Sequence, residues 1–457
     1  MQIYFAHLKM DIKKQAPING DEEYRLYRMR WVILLMYVVS CACGNMQWMQ
    51  YGIIGDVLIL YYGISFEAVN WSSLVFLLCY VICLFPVSYI LDKYGLRVSM
   101  ILSVVGIAIG AWLKVASIAP ERYWVLLLGQ IVVSVSVVAL MGIPPKLAAV
   151  WFGSHEVSSA CGIGLAGIQL GFAIGFVVPP LVIRSQYDVS VIESDLFTIA
   201  LGVAITCTVL VIIIILGFSD KPPTPPTYAA SCTKHHDITF VRPFKKLMTN
   251  KPFVLLMSGF GIDLGIFCAL SALLNQIILR NYPNGFVDAG RIGLLMVIAG
   301  IFGSLISGTI LDKFKCYRGA LLSLQTVTFL TLIVFTVILS MDIMLVYATV
   351  GLLGFYVGAL WSVCFEVAVE ITYPEPEGMA VGLLNGCGQG LGIIFTYIYS
   401  TLFYNFNDIW ANSAMSALIL VALVAMGLIR MELRREAANF KKDTDNLGFN
   451  DVFCSKL

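Results

Sequence analysis

Leu91-Asp92-Lys93-Tyr94-Gly95-Leu96-Arg97 is a short charged stretch between two long apolar segments. A second version, Leu311-Asp312-Lys313-Phe314-Lys315 running on to Arg318, stands 220 residues later. Gln169 and Gln389, each in the middle of an apolar segment, are separated by the same 220 residues. A chain that repeats both a charged turn and a mid-segment polar residue at one offset reads as two half-length copies of a single membrane unit. Internal repeats with polar residues near the membrane midplane mark secondary transporters. In the turn itself, an acid at a helix end can pair with a base or a neighbouring helix N-terminus, and Gly permits a tight reversal. Such a contact latches one state of a rocking protein and releases in the other. This reading gives gating roles to Asp92, Lys93, Gly95, Arg97, Asp312 and Lys313. The plainer reading is a solvated basic loop, and the second copy weighs against it.

Composition agrees with a membrane protein. Of 457 residues, 59% are hydrophobic and only 12% charged, and the mean hydropathy is +0.87. Soluble domains carry about 25% charged residues, so most of this chain faces lipid or apolar neighbours. A net charge of +1 provides no basic stripe for nucleic acid. Most of the 12 cysteines, among them Cys41, Cys79, Cys83, Cys161, Cys207 and Cys268, lie within apolar segments, where Cys acts as a small hydrophobe; free thiols are expected. The N-terminus, with Lys9, Asp11, Lys13 and Lys14, lacks the apolar core of a cleaved signal peptide. The first apolar segment is therefore expected to serve as its own signal.

The expected fold is an all-α membrane protein of twelve transmembrane helices in two pseudo-symmetric six-helix halves. The apolar segments lie near 31–55, 71–91, 98–118, 123–142, 158–183, 196–218, 252–278, 290–311, 319–340, 342–363, 379–402 and 408–430. Each has around 20 residues, as a core of about 30 Å requires. The domain reading is an N-terminal cytoplasmic segment 1–30, a six-helix half 31–218, a linker 219–251, a second half 252–431 and a tail 432–457. Pro222, Pro223, Pro225 and Pro226 suit the linker role. With both termini inside, 24 of the 29 Lys and Arg fall on the cytoplasmic side, leaving Lys114, Arg122, Arg184, Arg280 and Arg291 outside. Positive charge marks the inner face. The plasma membrane is the expected location, with an organelle membrane as the alternative. The carrier is expected to work as a monomer in the bilayer.

Four features suggest a substrate site. Gln169 and Gln389 each lie about ten residues past a helix start, roughly 15 Å deep at 1.5 Å per residue; flanking glycines let helices approach. In the first segment Asn45, Trp48, Gly52 and Asp56 follow at helical spacing and are expected on one face. The face of a Trp attracts ligand cations, quaternary ammonium above all. Asp263 is a carboxylate near the middle of the seventh segment, costly in lipid and therefore a candidate to balance a cation or carry a proton. Cys268 stands 220 residues after Trp48 and should share its position in the repeat, about 140° around the helix from Asp263. Each of these has a bland alternative: an interhelical hydrogen bond for the glutamines, core or lipid packing for Trp48. No Walker loop or spaced His/Cys metal set occurs, so the chain reads as neither an enzyme nor an ATP-driven pump, and no cofactor is expected. His7, His155, His235 and His236 all lie outside the apolar segments.

The charged turn resembles the loop motif of the major facilitator superfamily, with Ser88 and Gly308 at the position before the acid where Gly is usual. Asn45-Met46-Gln47-Trp48-Met49-Gln50-Tyr51, Val150-Trp151-Phe152-Gly153, Leu273-Leu274-Asn275-Gln276, Phe365-Glu366-Val367-Ala368-Val369-Glu370-Ile371-Thr372-Tyr373-Pro374-Glu375 and Gly382-Leu383-Leu384-Asn385 narrow it further. Together they resemble the FLVCR (feline leukaemia virus subgroup C receptor-related) branch, over about residues 30–435. The resemblance implies choline and ethanolamine transport, expected to be facilitative, with haem export as the alternative and a non-transporting receptor as a minor one. It implies that Trp48 contacts the ammonium while Gln169 and Gln389 hold the hydroxyl end. An aromatic of the family's site falls at Cys268, an Asn at Ile168 and a Gln at Val137, leaving Phe267 or Tyr397 to complete the cage.

Overall fold

The computed structural model describes residues 26–153, 156–184, 188–224, 241–314, 316–375 and 377–431. Most of the N-terminal segment, the middle of the linker, the tail beyond 431 and all four histidines lie outside the described residues, as do the side chains of Asp92 and Asp312.

Among the described residues twelve helices are long and apolar enough to cross a bilayer, as the hydropathy pattern requires. They are α1 Met29–Gly52, α2 Phe66–Leu91, α3 Lys93–Ala116, α4 Pro120–Trp151, α5 Ser159–Val182 and α6 Val189–Gly217. The second six are α7 Lys251–Asn281, α8 Phe286–Leu311, α9 Tyr317–Ile338, α10 Ile343–Thr372, α11 Glu377–Asn405 and α12 Asp408–Gly427. Several helices outrun their apolar segments. α2 begins at Phe66 and α6 at Val189, because hydropathy follows the lipid while the backbone ladder continues to a cap. Ser65 accepts from the Ala68 N–H ahead of α2, and Asp188 from those of Ser190 and Val191 ahead of α6. Asp342 accepts from Met344 ahead of α10, and Asn407 from Trp410 ahead of α12. Each oxygen satisfies a donor that the helix cannot.

Large apolar side chains cover the outside: Leu35 is 61% exposed, Ile82 62%, Leu305 62% and Leu216 71%. In water this would be an aggregating surface, whereas in a bilayer it is the lipid face. With no hydrophobic drive between helices there, close packing has to hold them. α1 and α5 achieve it through Gly167, Gly171 and Gly175, one turn apart along α5. A Cβ on Gly171 would stand 2.7 Å from the Ala42 carbonyl oxygen and 2.8 Å from Asn45 Cβ, so only hydrogen fits.

The described chain forms two compact units. One comprises Met1–Asp237 with Cys268–Ile298, the other Ile238–Phe267 with Ala299–Leu457. α7 and α8 are therefore each divided between the units. In the first unit, the far ends of α7 and α8 pack on N-terminal helices. Gly290 and Gly293 lie against Phe176 of α5, and Gly52 of α1 faces the Ala272 carbonyl.

One sequence expectation is corrected. Asn45, Trp48, Gly52 and Asp56 do not share one helical face, because α1 ends at Gly52 and a short helix, Gly55–Tyr62, restarts the chain. Ile54 between them leaves helical geometry (φ −117°, ψ 29°). Lys114, counted with the outer-side charges, is 1% exposed inside α3.

Candidate functional site

Trp48 sits in an aromatic group built from three helices of the first unit. Its ring stacks on Phe76 of α2, with centroids 5.4 Å apart and planes within 1°, and meets Phe172 of α5 edge-on at 5.3 Å. Stacking on Phe76 occupies one indole face. The residue is 6% exposed. Gln169 lies one turn before Phe172 on α5, half-buried, on the face that carries Phe172. Asn45 lies one turn before Trp48 and turns toward α5: its Nδ2 donates to the Cys41 carbonyl at 2.9 Å, and its buried Oδ1 has no protein partner. Cys268 is buried on α7, where that helix enters the first unit. Val137 is buried against Gly44.

Beside this group the first unit carries polar residues that spacing alone did not single out. Gln50 of α1 and Gln276 of α7 are buried with both amide atoms unpartnered, and Ser271 Oγ is likewise alone. Asn275 Nδ2 donates to Asp56 Oδ1 at 2.7 Å, tying α7 to the short helix after α1. The motif Leu273-Leu274-Asn275-Gln276 is visible as a family signature, but its partner is not.

Lys114 is held without an acid. Its Nζ donates to Gln47 Oε1 at 2.8 Å and lies 5.4 Å from the centre of the Tyr51 ring. Gln47 and Tyr51, four residues apart, offer one face of α1 to it. Gln130 of α4 braces the same region, its Nε2 donating to the carbonyls of Gln47 and Ser72. A Lys at the tail of an apolar segment reads as an interfacial charge, which hides its burial from the sequence.

In the second unit Asp263 is 3% exposed and faces α9, where Gln325 Nε2 donates to its Oδ1 at 2.9 Å. Gln389 is 5% exposed on α11. Phe267 is half-buried and meets Trp361 edge-on at 4.9 Å, while Tyr397 is 69% exposed.

The charged turn is organised by a residue from outside it. Gly95 has φ 85° and ψ −177°, the one non-helical residue between α2 and the body of α3. Asp220, just past α6, accepts from the Arg97 backbone N–H through Oδ1 at 3.0 Å, capping α3 from a distance. Arg97 Nη2 reaches the Ile215 carbonyl at the end of α6 at 3.2 Å. In the second unit Arg318 Nη2 reaches the Gly427 carbonyl at the end of α12, also at 3.2 Å, so the repeat extends to this contact. Lys146 Nζ donates to the Leu91 carbonyl at 2.7 Å, favourable at a helix C-terminus. Lys93 lies over the rings of Tyr89 and Tyr94, and Lys313 over Phe314. Among the described residues each unit holds a long-range ion pair, Arg30 with Glu156 at 3.0 Å in the first and Lys246 with Glu375 at 2.6 Å in the second. Sequence order separates the members of each pair by more than a hundred residues, so no local spacing announces them.

The model of the Major Facilitator Superfamily matches residues 34–397. The zebrafish (Danio rerio) choline/ethanolamine transporter flvcr2a is 38% identical over 95% of this chain and 93% of its own. Human choline/ethanolamine transporter FLVCR2 is 37% identical over 92% of this chain and 81% of its own, and the cat (Felis catus) choline/ethanolamine transporter FLVCR1 36% over 90% and 74%. Among solved structures a D-xylose–proton symporter superposes with a TM-score of 0.69 over 87% of this chain and 97% of its own, at 13% identity. That likeness concerns the fold alone. On the twelve helices, the repeated turn and these relatives, the chain belongs to the major facilitator superfamily and, within it, to the FLVCR family.

Proposed function

We propose that this chain is a multi-pass carrier that moves choline and ethanolamine across a membrane by alternating access. The kinship along nine-tenths of the chain with proteins named for those two amines carries the reading. The site chemistry agrees with it. Trp48 is held by Phe76 and Phe172 in a fixed orientation, and an indole face so placed attracts an alkylammonium group. Gln169 supplies an amide one turn from that aromatic group, suited to the hydroxyl that choline and ethanolamine share; Gln389 is the matching group in the second unit. Cys268 adds a small apolar wall where a bulkier ring would stand. Asn45 orients α1 against α5. The turns at 92–97 and 312–318 are the gating elements, and their basic residues belong to the cytoplasmic end. Both chain termini then lie in the cytoplasm, and the plasma membrane is the site of action. Haem export gains no support from the site or from the relatives.

The test is uptake of labelled choline and ethanolamine by cells producing the chain, compared with Trp48→Ala at equal surface expression. Losing a desolvated cation–π contact of about 1–2 kcal/mol raises the half-saturating concentration roughly 5- to 30-fold. Unchanged affinity in Trp48→Ala would remove Trp48 from the site. Absence of saturable uptake of both amines would refute the reading.

A further inference from the structure

Asp263 and Gln325 meet inside the second unit through one hydrogen bond and leave two buried acceptors without a partner. Gln325 Nε2 donates to Asp263 Oδ1 at 2.9 Å. Asp263 Oδ2 and Gln325 Oε1 are both buried and neither has a partner. A carboxyl and a primary amide have nearly the same span between their two outer atoms. A coplanar pairing of the two groups through Nε2 and Oδ1 sets the amide oxygen opposite Oδ2, acceptor to acceptor. With the carboxyl ionised, the site holds an uncompensated charge out of water, a costly state. In that pairing one hydrogen on Oδ2 makes an O–H···O bond to the amide oxygen and closes a ring of two hydrogen bonds.

The neighbours offer no other neutralisation. Asp263 enters none of the ion pairs of the described residues. On α9 Gln325 meets it and Thr328 follows one turn on, both buried and neither titratable. On α10 the titratable neighbour is the Cys364 thiol, and on α11 Cys387 lies against Gly261, half a turn away. α12 meets this helix through Met426 at Gly259. None of these is cationic. Thr328 supplies a third unpartnered oxygen, buried one turn past Gln325. Thr326, Thr331 and Thr336 on the same helix all donate back to the carbonyl four residues earlier, whereas Thr328 does not.

We propose that Asp263 and Gln325 form a proton-binding site, closed by one proton between Asp263 Oδ2 and Gln325 Oε1 and exchanged with the aqueous phase during the transport cycle. The proton arrives from water, forms the Oδ2–H bond and returns to water; no other bond changes. The site lies four residues before Phe267, the last residue of α7 in the second unit. The hydrogen-bonded ring anchors α7 to α9 when the proton is present. When the proton leaves, the charge requires water and the anchor loosens. Binding at Asp263 stands independently of the carrier assignment, while exchange during transport rests on it. This departs from a purely facilitative carrier.

Two readouts separate the parts. Infrared difference spectra of the purified protein in lipid, recorded across a pH step, report carboxylic-acid C=O stretching without any substrate. A band present in the wild type and absent in Asp263→Asn is expected, moving to higher frequency in Gln325→Leu, where the acid loses its amide partner. Asn restores both hydrogen bonds of the ring, so this variant is expected to fold. Identical wild-type and Asp263→Asn spectra in that region would overturn the proton site. In proteoliposomes, choline uptake by the wild type should change several-fold from mildly acidic to mildly alkaline pH, with a flat profile, scaled to its own maximum, for Asp263→Asn. A band that Asp263→Asn removes, together with wild-type uptake indifferent to pH, would overturn the exchange step. Failure of all amine uptake would strike the carrier assignment, and the infrared spectra would still decide whether Asp263 binds a proton.

Discussion

Gly95→Ala tests how the charged turn is built. A residue at φ 85° and ψ −177° occupies a region open essentially to glycine, at a cost to other residues of about 1–3 kcal/mol. The new Cβ would also stand 2.7 Å from Asp220 Oδ1, so the carboxylate has to withdraw from the Arg97 N–H. A lost helix cap costs about 0.5–2 kcal/mol, and because Asp220 is exposed the lower half of that range applies. Gly95→Ala should therefore destabilise by about 2–4 kcal/mol. Asp220→Ala breaks the same hydrogen bond without backbone strain and should cost about 1 kcal/mol. Since both variants lose one shared bond, the double variant should be no less stable than Gly95→Ala, falling short of additivity by about 1 kcal/mol. The assay is unfolding by sodium dodecyl sulfate in mixed micelles, followed by tryptophan fluorescence, for the four members of the cycle. Strict additivity would refute the claim that Asp220 caps α3 across the turn.

Two further outcomes follow from buried charge. Lys114→Met leaves Gln47 Oε1 buried without its donor and should cost about 1–3 kcal/mol; adding Gln47→Leu should recover much of it in the same unfolding assay, because replacing both polar partners avoids the orphan. Asp195 is 2% exposed and accepts from the Arg184 backbone N–H at 2.8 Å, from its Nε at 2.8 Å and from its Nη2 at 2.7 Å. Arg184→Ala strips the guanidinium from a buried carboxylate and should destabilise measurably in the same unfolding assay, whereas Arg291→Ala, breaking the exposed pair with Asp288, should stay within about 1 kcal/mol. Equal effects of the two arginine substitutions would contradict the difference in burial.

The repeat was legible because it is written in local chemistry. Asp92 and Asp312 each open a charged run after an apolar segment, and the offset that relates them also relates Gln169 to Gln389. Legibility ended where the partner is distant in sequence or the backbone departs from ideal geometry. The break at Ile53–Ile54 removes Asp56 from the face of Trp48, and nothing in a run of apolar residues with interspersed glycine marks where a helix stops. Asp220 looked like part of a linker and proved to be the cap of α3. Lys114 looked interfacial by its place near a segment end, yet its Nζ is met by Gln47 and Tyr51.

By itself, the sequence determined the class of this protein and its twelve spans. Twelve apolar segments of bilayer length permit little else, because each backbone polar group in lipid has to be satisfied within its own helix. The tertiary structure alone decided the partners. It stacked Trp48 on Phe76 and set Gln325 against Asp263. It also tied Asn275 to Asp56 and allotted the far ends of α7 and α8 to the first unit. Those choices rest on which helical faces meet at what depth, through close contacts such as that of Gly171 with Ala42. Such contacts sum many weak terms over residues far apart in the chain, and no single local pattern encodes them.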